Sequence, residues 1–410
     1  ILSNSRAAST HHIVPFLDKS MAPAIAAKPL LSDLVAQSRQ VPSSHIRAVG
    51  DRPDLANVDH ESGAGIPLID LKHLDGPGRR GVVEAIGAAC ENDGFFMVTN
   101  HGIPEAVVEG MLRVAREFFH LPESERLKCY SDDPKKAIRL STSFNVRTEK
   151  VSNWRDFLRL HCYPLESFVD QWPSNPPAFR EVVGTYSTEA RALALRLLEA
   201  ISESLGLERG HMVKAMGRHA QHMAVNYYPP CPQPELTYGL PGHKDPNAVT
   251  LLLQDGVSGL QVRRDGRWVA VSPVPGALVI NIGDQLQALS NDRYKSVLHR
   301  VIVNSESERI SVPTFYCPSP DAVVAPAEAL VDGGHPLAYR PFTYQEYYEE
   351  FWNMGLESAS CLDRFRPNAC WTVQPAGCGQ QNLTGHKCCL LPMMCRHTGR
   401  PLKDARSRQI

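Results

Sequence analysis

The sequence predicts a mainly β fold with flanking helices: an N-terminal helical region, one long bracing helix, then a β sandwich or jelly-roll barrel. Three observations predict it. Short β-branched runs alternate with turn residues from Met223 onward, the texture of a sandwich or barrel. Phe179, Val182, Val183, Tyr186, Ala190, Leu193, Leu197, Ile201 and Leu205 recur at three- and four-residue spacing, so one side of a long helix is apolar and packs on something large. The chain has 410 residues, 43 basic and 44 acidic, with 43% hydrophobic and 21% charged residues. That is an ordinary globular composition with enough chain for a sizeable core.

In chain order, residues 1–44 read as a leader without regular structure apart from one short helix, rich in Pro, Ala and Ser after Met21. Residues 45–175 form an N-terminal region, 176–368 the barrel with its bracing helix, and 369–410 a cysteine-rich tail. Ile66 to Leu71 is a strand before the Gly76-Pro77-Gly78 turn. Val83, Ile86, Gly87 and Cys90 give helical spacing over Gly81 to Asn92, and Gly94 stops that helix before a buried strand at Phe95 to Val98. Pro104 opens a helix to about His120. Residues 123–175 show no clear period. Gly206 caps the long helix. Strands follow at Val249–Leu253, Leu260–Val262, Trp268–Val271, Ala277–Ile282, Val301–Val303 and Ile310–Tyr316, with a hairpin turn at Asp265-Gly266. A helix returns at Thr343 to Trp352.

The formal charge of −1 argues against a nucleic-acid-coating or polybasic membrane-binding protein, and no apolar run is long enough for a membrane helix. Six scattered cysteines read as reduced thiols of a cytoplasmic protein. The five in the tail, with His386 and His397, fit no paired zinc spacing, and residues 1–20 and the tail read as sequence without a structural role.

The chemistry starts at His243 and Asp245. On extended backbone, side chains two apart face the same way, so an imidazole and a carboxylate converge. His73 and Asp75 repeat the pattern by chance. His299, 54 residues after Asp245, supplies a third ligand. Two histidines and one carboxylate with open positions match non-haem Fe(II) sites, and zinc accepts the same set. Ten residues on, Arg309 and Ser311 share a face, a fork and a hydroxyl suited to a carboxylate, to which Tyr228 can add a phenol hydroxyl. A non-catalytic barrel has no use for such a receptor, and a zinc hydrolase would carry a His-Glu-x-x-His motif.

HKDPNAVTLLLQD, GLQV, NIGDQLQALSN, YKSVLHRV and ERISVPTFYCP resemble the plant Fe(II)/2-oxoglutarate-dependent dioxygenases over about residues 45–368. The resemblance implies a double-stranded β-helix (jelly roll), with His243, Asp245 and His299 as iron ligands. Arg309, Ser311, Tyr228 and Asn226 would hold 2-oxoglutarate, O2 would be the second co-substrate and ascorbate the reductant. RLSTSFN, NWRDFLRLHCYP and the stretch ending GLPGHKD look most like the salicylate hydroxylase branch, with Lys244 where most of the wider family carries Thr. That implies conversion of salicylate to 2,3- or 2,5-dihydroxybenzoate with succinate and CO2. The alternative is flavanone oxidation, by 3-hydroxylation or desaturation to a flavone. The expected partner is a small aromatic molecule, not nucleic acid or membrane, and the expected state is a monomer. For the substrate, Phe315 lies on the face of Arg309 and is the expected wall, with Phe144 and Leu158 as further walls. Arg139 is the first candidate for a cation and Lys244 the second.

Overall fold

The apolar runs fold as strands because each buries side chains on two faces. The computed structural model describes residues 29–35, 39–55, 58–59, 65–145, 149–356 and 360–367. Residues 1–20 and the tail from 370 lie outside them. In chain order the strands are β1 (Val58–Asp59), β2 (Leu68–Asp70), β3 (Phe95–Thr99), β4 (Ile138–Thr142), β5 (Asp156–His161), β6 (Ala220–Tyr228), β7 (Leu240–His243), β8 (Val249–Gln254), β9 (Leu260–Arg264), β10 (Arg267–Ala270), β11 (Leu278–Ile282), β12 (His299–Val301) and β13 (Arg309–Cys317). A short pair, β14 (Val323–Val324) and β15 (Phe342–Thr343), follows. The helices are α1 (Leu31–Val35), α2 (Arg79–Asn92), α3 (Glu105–Phe119), α4 (Glu123–Arg126), α5 (Phe179–Ser204), α6 (His211–Ala215), α7 (Asp284–Leu289) and α8 (Tyr344–Met354).

An eight-stranded sheet runs β2-β3-β11-β8-β13-β6-β5-β4, and a five-stranded sheet runs β1-β10-β9-β12-β7. This is the jelly-roll arrangement expected. Alternation along the large sheet builds two cores. Phe96, Val98, Leu251, Leu253, Ile280 and Val312 turn outward onto α2, α3 and α5. Phe95, Met97, Leu252 and Val279 turn inward, against Leu260, Val262 and Val301 of the smaller sheet. Burial on both faces explains near-continuous apolar strands such as FFMVT and VTLLLQ. At the β9–β10 hairpin, Asp265 and Gly266 both take positive φ, 47° and 75°, as its two-residue turn requires.

The structure departs from the sequence reading in several places. Residues 123–175 hold β4 and β5, whose inward face carries Arg139 and Arg159 where a core strand would carry apolar residues, so the period is obscured. These strands join the large sheet beside β6, so the boundary at residue 175 cuts through one sheet. The strand β7 and the wholly buried α7 also lacked a sequence signal. Within residues 29–44, which read as leader, Leu30 and Leu31 are fully buried. The Asp156 carboxylate accepts from the backbone N–H groups of Leu31 and Ser32, at 2.9 Å each, so this stretch is tied to β5. The six scattered cysteines are free thiols, as expected. Among the described residues no helix is long and apolar enough to cross a membrane.

Candidate active site

His243 ends β7 and His299 begins β12, and the two are directly paired across the smaller sheet. Their ring centroids are 4.2 Å apart. The Nδ1 atoms lie 2.9 Å from the Pro241 carbonyl and 3.1 Å from the Val297 carbonyl. Carbonyls only accept, so each Nδ1 carries a proton and each Nε2 is the atom turned toward the common point. Both Nε2 atoms stand 3.7 Å from Oδ1 of Asp245. The three ligand atoms lie within 4.8 Å of one another. Burial and then the neighbouring His299 push the His243 imidazole down, which keeps it neutral. Burial pushes the Asp245 carboxyl up, but the two imidazoles and the hydrogen bonds from Asn281 and Thr250 outweigh it and hold the group below its usual range.

Asp245 lies past the end of β7, so strand alternation does not aim it. Asn281 on β11 and Thr250 on β8 both donate to its Oδ2, which leaves Oδ1 facing the imidazoles. Two imidazole Nε2 atoms and one free carboxylate oxygen around a common point fit a divalent metal with open positions.

The four residues expected to receive 2-oxoglutarate form two adjacent pairs across β13 and β6, Arg309 with Tyr228 and Ser311 with Asn226. The guanidinium carbon of Arg309 is 5.2 Å from the Tyr228 ring centroid. Its Nε donates to the Val257 carbonyl at 3.1 Å and its Nη2 to Gln254 Oε1 at 2.8 Å. Its Nη1 is buried without a partner. A buried donor left over beside the Ser311 hydroxyl fits a carboxylate. Gly259 makes room for this arginine: a Cβ there would lie 3.1 Å from Arg309 Cδ and 2.9 Å from the Ile302 carbonyl. Neither Gln254 nor Gly259 was legible in advance, because their roles depend on a neighbouring strand.

One cavity between the sheets is lined by the triad, all four receptor residues, Phe315 and Arg155. Phe315 is therefore where it was expected. Arg155 was not singled out, although NWRDFLRLHCYP contains it. Leu158 is the opposite of a wall: it pairs with Val225 and faces the outer core, because Phe157 and Arg159 take the inward positions. Phe144 stacks on Trp352 at 4.9 Å and does not line the cavity. Lys244 lines a separate small cavity with Asp284 and Phe351. Arg139 is 1% exposed and lies behind the cavity, its guanidinium carbon 5.3 Å from the Phe157 ring centroid. A larger open depression beside α3, lined by His101 and Pro275, holds none of these candidates.

The family model of the 2OG-Fe(II) oxygenase superfamily matches residues 219–318, and that of the non-haem dioxygenase in morphine synthesis N-terminal matches residues 66–175. Protein DMR6-LIKE OXYGENASE 1 of Arabidopsis thaliana is 59% identical over 347 residues, which cover 84% of this chain and 99% of that protein. The chain belongs to the 2OG-Fe(II) oxygenase superfamily. As a member it is a dioxygenase, an oxidoreductase that uses Fe(II), 2-oxoglutarate and O2. Flavanone 3-dioxygenase 2 of Oryza sativa subsp. japonica is 58% identical over 327 residues, covering 80% of this oxygenase and 94% of that one. Protein DOWNY MILDEW RESISTANCE 6 of Arabidopsis thaliana is 53% identical over 333 residues, covering 80% and 96%. The crystal structure of JOX2 in complex with 2OG, Fe and JA matches with a TM-score of 0.74 at 36% identity, covering 84% of this oxygenase and 98% of that chain.

Proposed function

We propose that this oxygenase hydroxylates salicylate to 2,3- or 2,5-dihydroxybenzoate, with succinate and CO2 as co-products. The observation that carries the reading is the cavity itself, where the triad, a carboxylate receptor, an apolar wall at Phe315 and a guanidinium at Arg155 meet. His243, Asp245 and His299 would hold the metal. When bound, Fe(II) supplies the redox chemistry that couples decarboxylation of 2-oxoglutarate to insertion of an oxygen atom from O2. Arg309 and Ser311 bind and orient the far carboxylate of 2-oxoglutarate, Tyr228 and Asn226 flank it, and Phe315 shields the ring from water. Ascorbate is the proposed reductant, and the proposed working form is a cytoplasmic monomer without nucleic-acid or membrane partners.

A second reading, flavanone oxidation, is favoured by the 58% identity to a flavanone 3-dioxygenase. Product analysis of the purified enzyme with salicylate and naringenin side by side tests both. Dihydroxybenzoate as the dominant product supports the first reading, and naringenin turnover far above that of salicylate moves the assignment to flavonoids.

A further inference from the structure

Three guanidiniums share the inward face of the large sheet next to the cavity. Arg139 on β4 stands directly opposite Arg159 on β5. Arg155 lies two residues before Phe157, and the ring of Phe157 packs against the guanidinium carbons of both Arg139 and Arg155, at 5.3 and 4.7 Å. Arg139, Arg155 and Arg159 are 1%, 6% and 9% exposed. Their hydrogen-bond partners are neutral. Arg139 donates to the Ser131 carbonyl and the Ser141 hydroxyl, and Arg159 to the carbonyls of Pro134 and Lys136. Arg155 donates to the Ser143 carbonyl and to Asn226 Oδ1. Among the described residues no carboxylate forms an ion pair with any of the three.

Like charges placed opposite each other on paired strands destabilise a sheet, and a buried cation without a counter-charge is costly. Burial, then Arg159 and Arg155, push the Arg139 guanidinium down to about 10. The carboxylates of Asp132, Glu149, Asp156 and Asp133 act on the three only through space, without an ion pair, and burial outweighs them; an anion entering the cavity would add a direct partner. Only Arg155 of the three lines that cavity. Its Nε and Nη2 are fixed by the Ser143 carbonyl, at 2.9 and 2.7 Å, so its orientation is set before any ligand binds. Its Nη1 lies 3.3 Å from Asn226 Oδ1, on the cavity side.

We propose that Arg155 takes the carboxylate of the aromatic substrate, with Arg139 and Arg159 supplying the positive field behind it. This rests on the reading of the site as one for a small aromatic acid. The competing ligand for Arg155 is the carboxylate beside the keto group of 2-oxoglutarate, since Arg155 and the proposed co-substrate receptor line the same cavity. The far carboxylate of 2-oxoglutarate belongs to Arg309.

The test is anaerobic calorimetric titration of the metal-loaded enzyme with salicylate, its neutral analogue salicylamide and 2-oxoglutarate. It is run on the wild type, Arg155→Gln and Arg155→Lys, with a thermal melt of each. Arg155→Gln should weaken salicylate at least about tenfold, the worth of one charge-assisted hydrogen bond, while salicylamide and 2-oxoglutarate hold within about twofold. Unchanged salicylate affinity overturns the inference and leaves the salicylate reading intact. A loss confined to 2-oxoglutarate also overturns it and makes Arg155 a co-substrate residue. A wild type that binds salicylate no better than salicylamide overturns both. If Arg155→Gln gives no cooperative melt, Arg155→Lys decides. The ammonium lacks the fork, so salicylate should weaken at least about threefold with salicylamide unchanged, and affinity equal to the wild type overturns the inference.

Discussion

The side-chain amide of Asn281 donates a 2.8 Å hydrogen bond to Oδ2 of Asp245, the oxygen that does not face the imidazoles. Thr250 donates to the same oxygen. Partners of this kind orient a ligand and are worth about ten- to a hundred-fold in metal affinity. Asn281→Ala and Thr250→Val should each weaken Fe(II) binding by about that factor, with activity recovering at high iron. Anaerobic metal titration measures it, and unchanged affinity in both variants would show that the carboxylate is held by other means.

Replacing a triad member should be more severe. His243→Ala, Asp245→Ala and His299→Ala leave two ligands in a site whose ligand atoms lie within 4.8 Å of one another. Each should lose turnover and bound iron together. A variant with full activity and full iron content would exclude that residue from the ligand set.

Arg309→Lys keeps the charge but loses the fork, along with the bonds to Val257 and Gln254 that orient it. The KM for 2-oxoglutarate should rise about ten- to a hundred-fold. Gln254→Ala should raise it less, because Gln254 acts only by placing the guanidinium. Steady-state kinetics in 2-oxoglutarate checks both, and no change in the Lys variant would mean that the co-substrate binds elsewhere.

The N-terminal tie to β5 predicts a stability effect far from the chemistry. Leu31 is fully buried, so Leu31→Ala should cost about 2–5 kcal/mol. Asp156→Ala leaves the N–H groups of Leu31 and Ser32 unpaired and should cost about 1–3 kcal/mol. Urea unfolding of the two variants reads these costs, and wild-type midpoints for both would show that residues 29–35 are dispensable.

His222 predicts an acid limb. Burial and then His161 push its imidazole down to about 3, against an ordinary value near 6.5. Between those values the unfolded chain takes a proton that the folded one refuses. Stability therefore falls as pH drops below about 6.5, by up to about 1.4 kcal/mol per pH unit from this group. His222→Gln should make the fall between pH 6.5 and 4 shallower by about one proton, seen in unfolding midpoints across pH. An unchanged slope would mean that His222 titrates normally.

The sequence by itself determined the strand and helix texture and singled out His243, Asp245, His299, Arg309, Ser311 and Phe315, which the structure brings to one cavity. Those signals are local: a short motif at the end of a strand suffices for His243 and Asp245, and two-residue alternation along β13 for Arg309, Ser311 and Phe315. It did not determine what aims Asp245, since Asn281 is 36 residues away and meets it only through the pairing of β11 with β8. It placed Leu158 on the wrong side, because an apolar residue between Phe157 and Arg159 gives no sign of which face is inward. It passed over Arg155, whose contact with Asn226 spans 71 residues. The register of β4, β5 and β6 decides which arginines look into the cavity, and register is a property of paired strands, fixed only when both are in place.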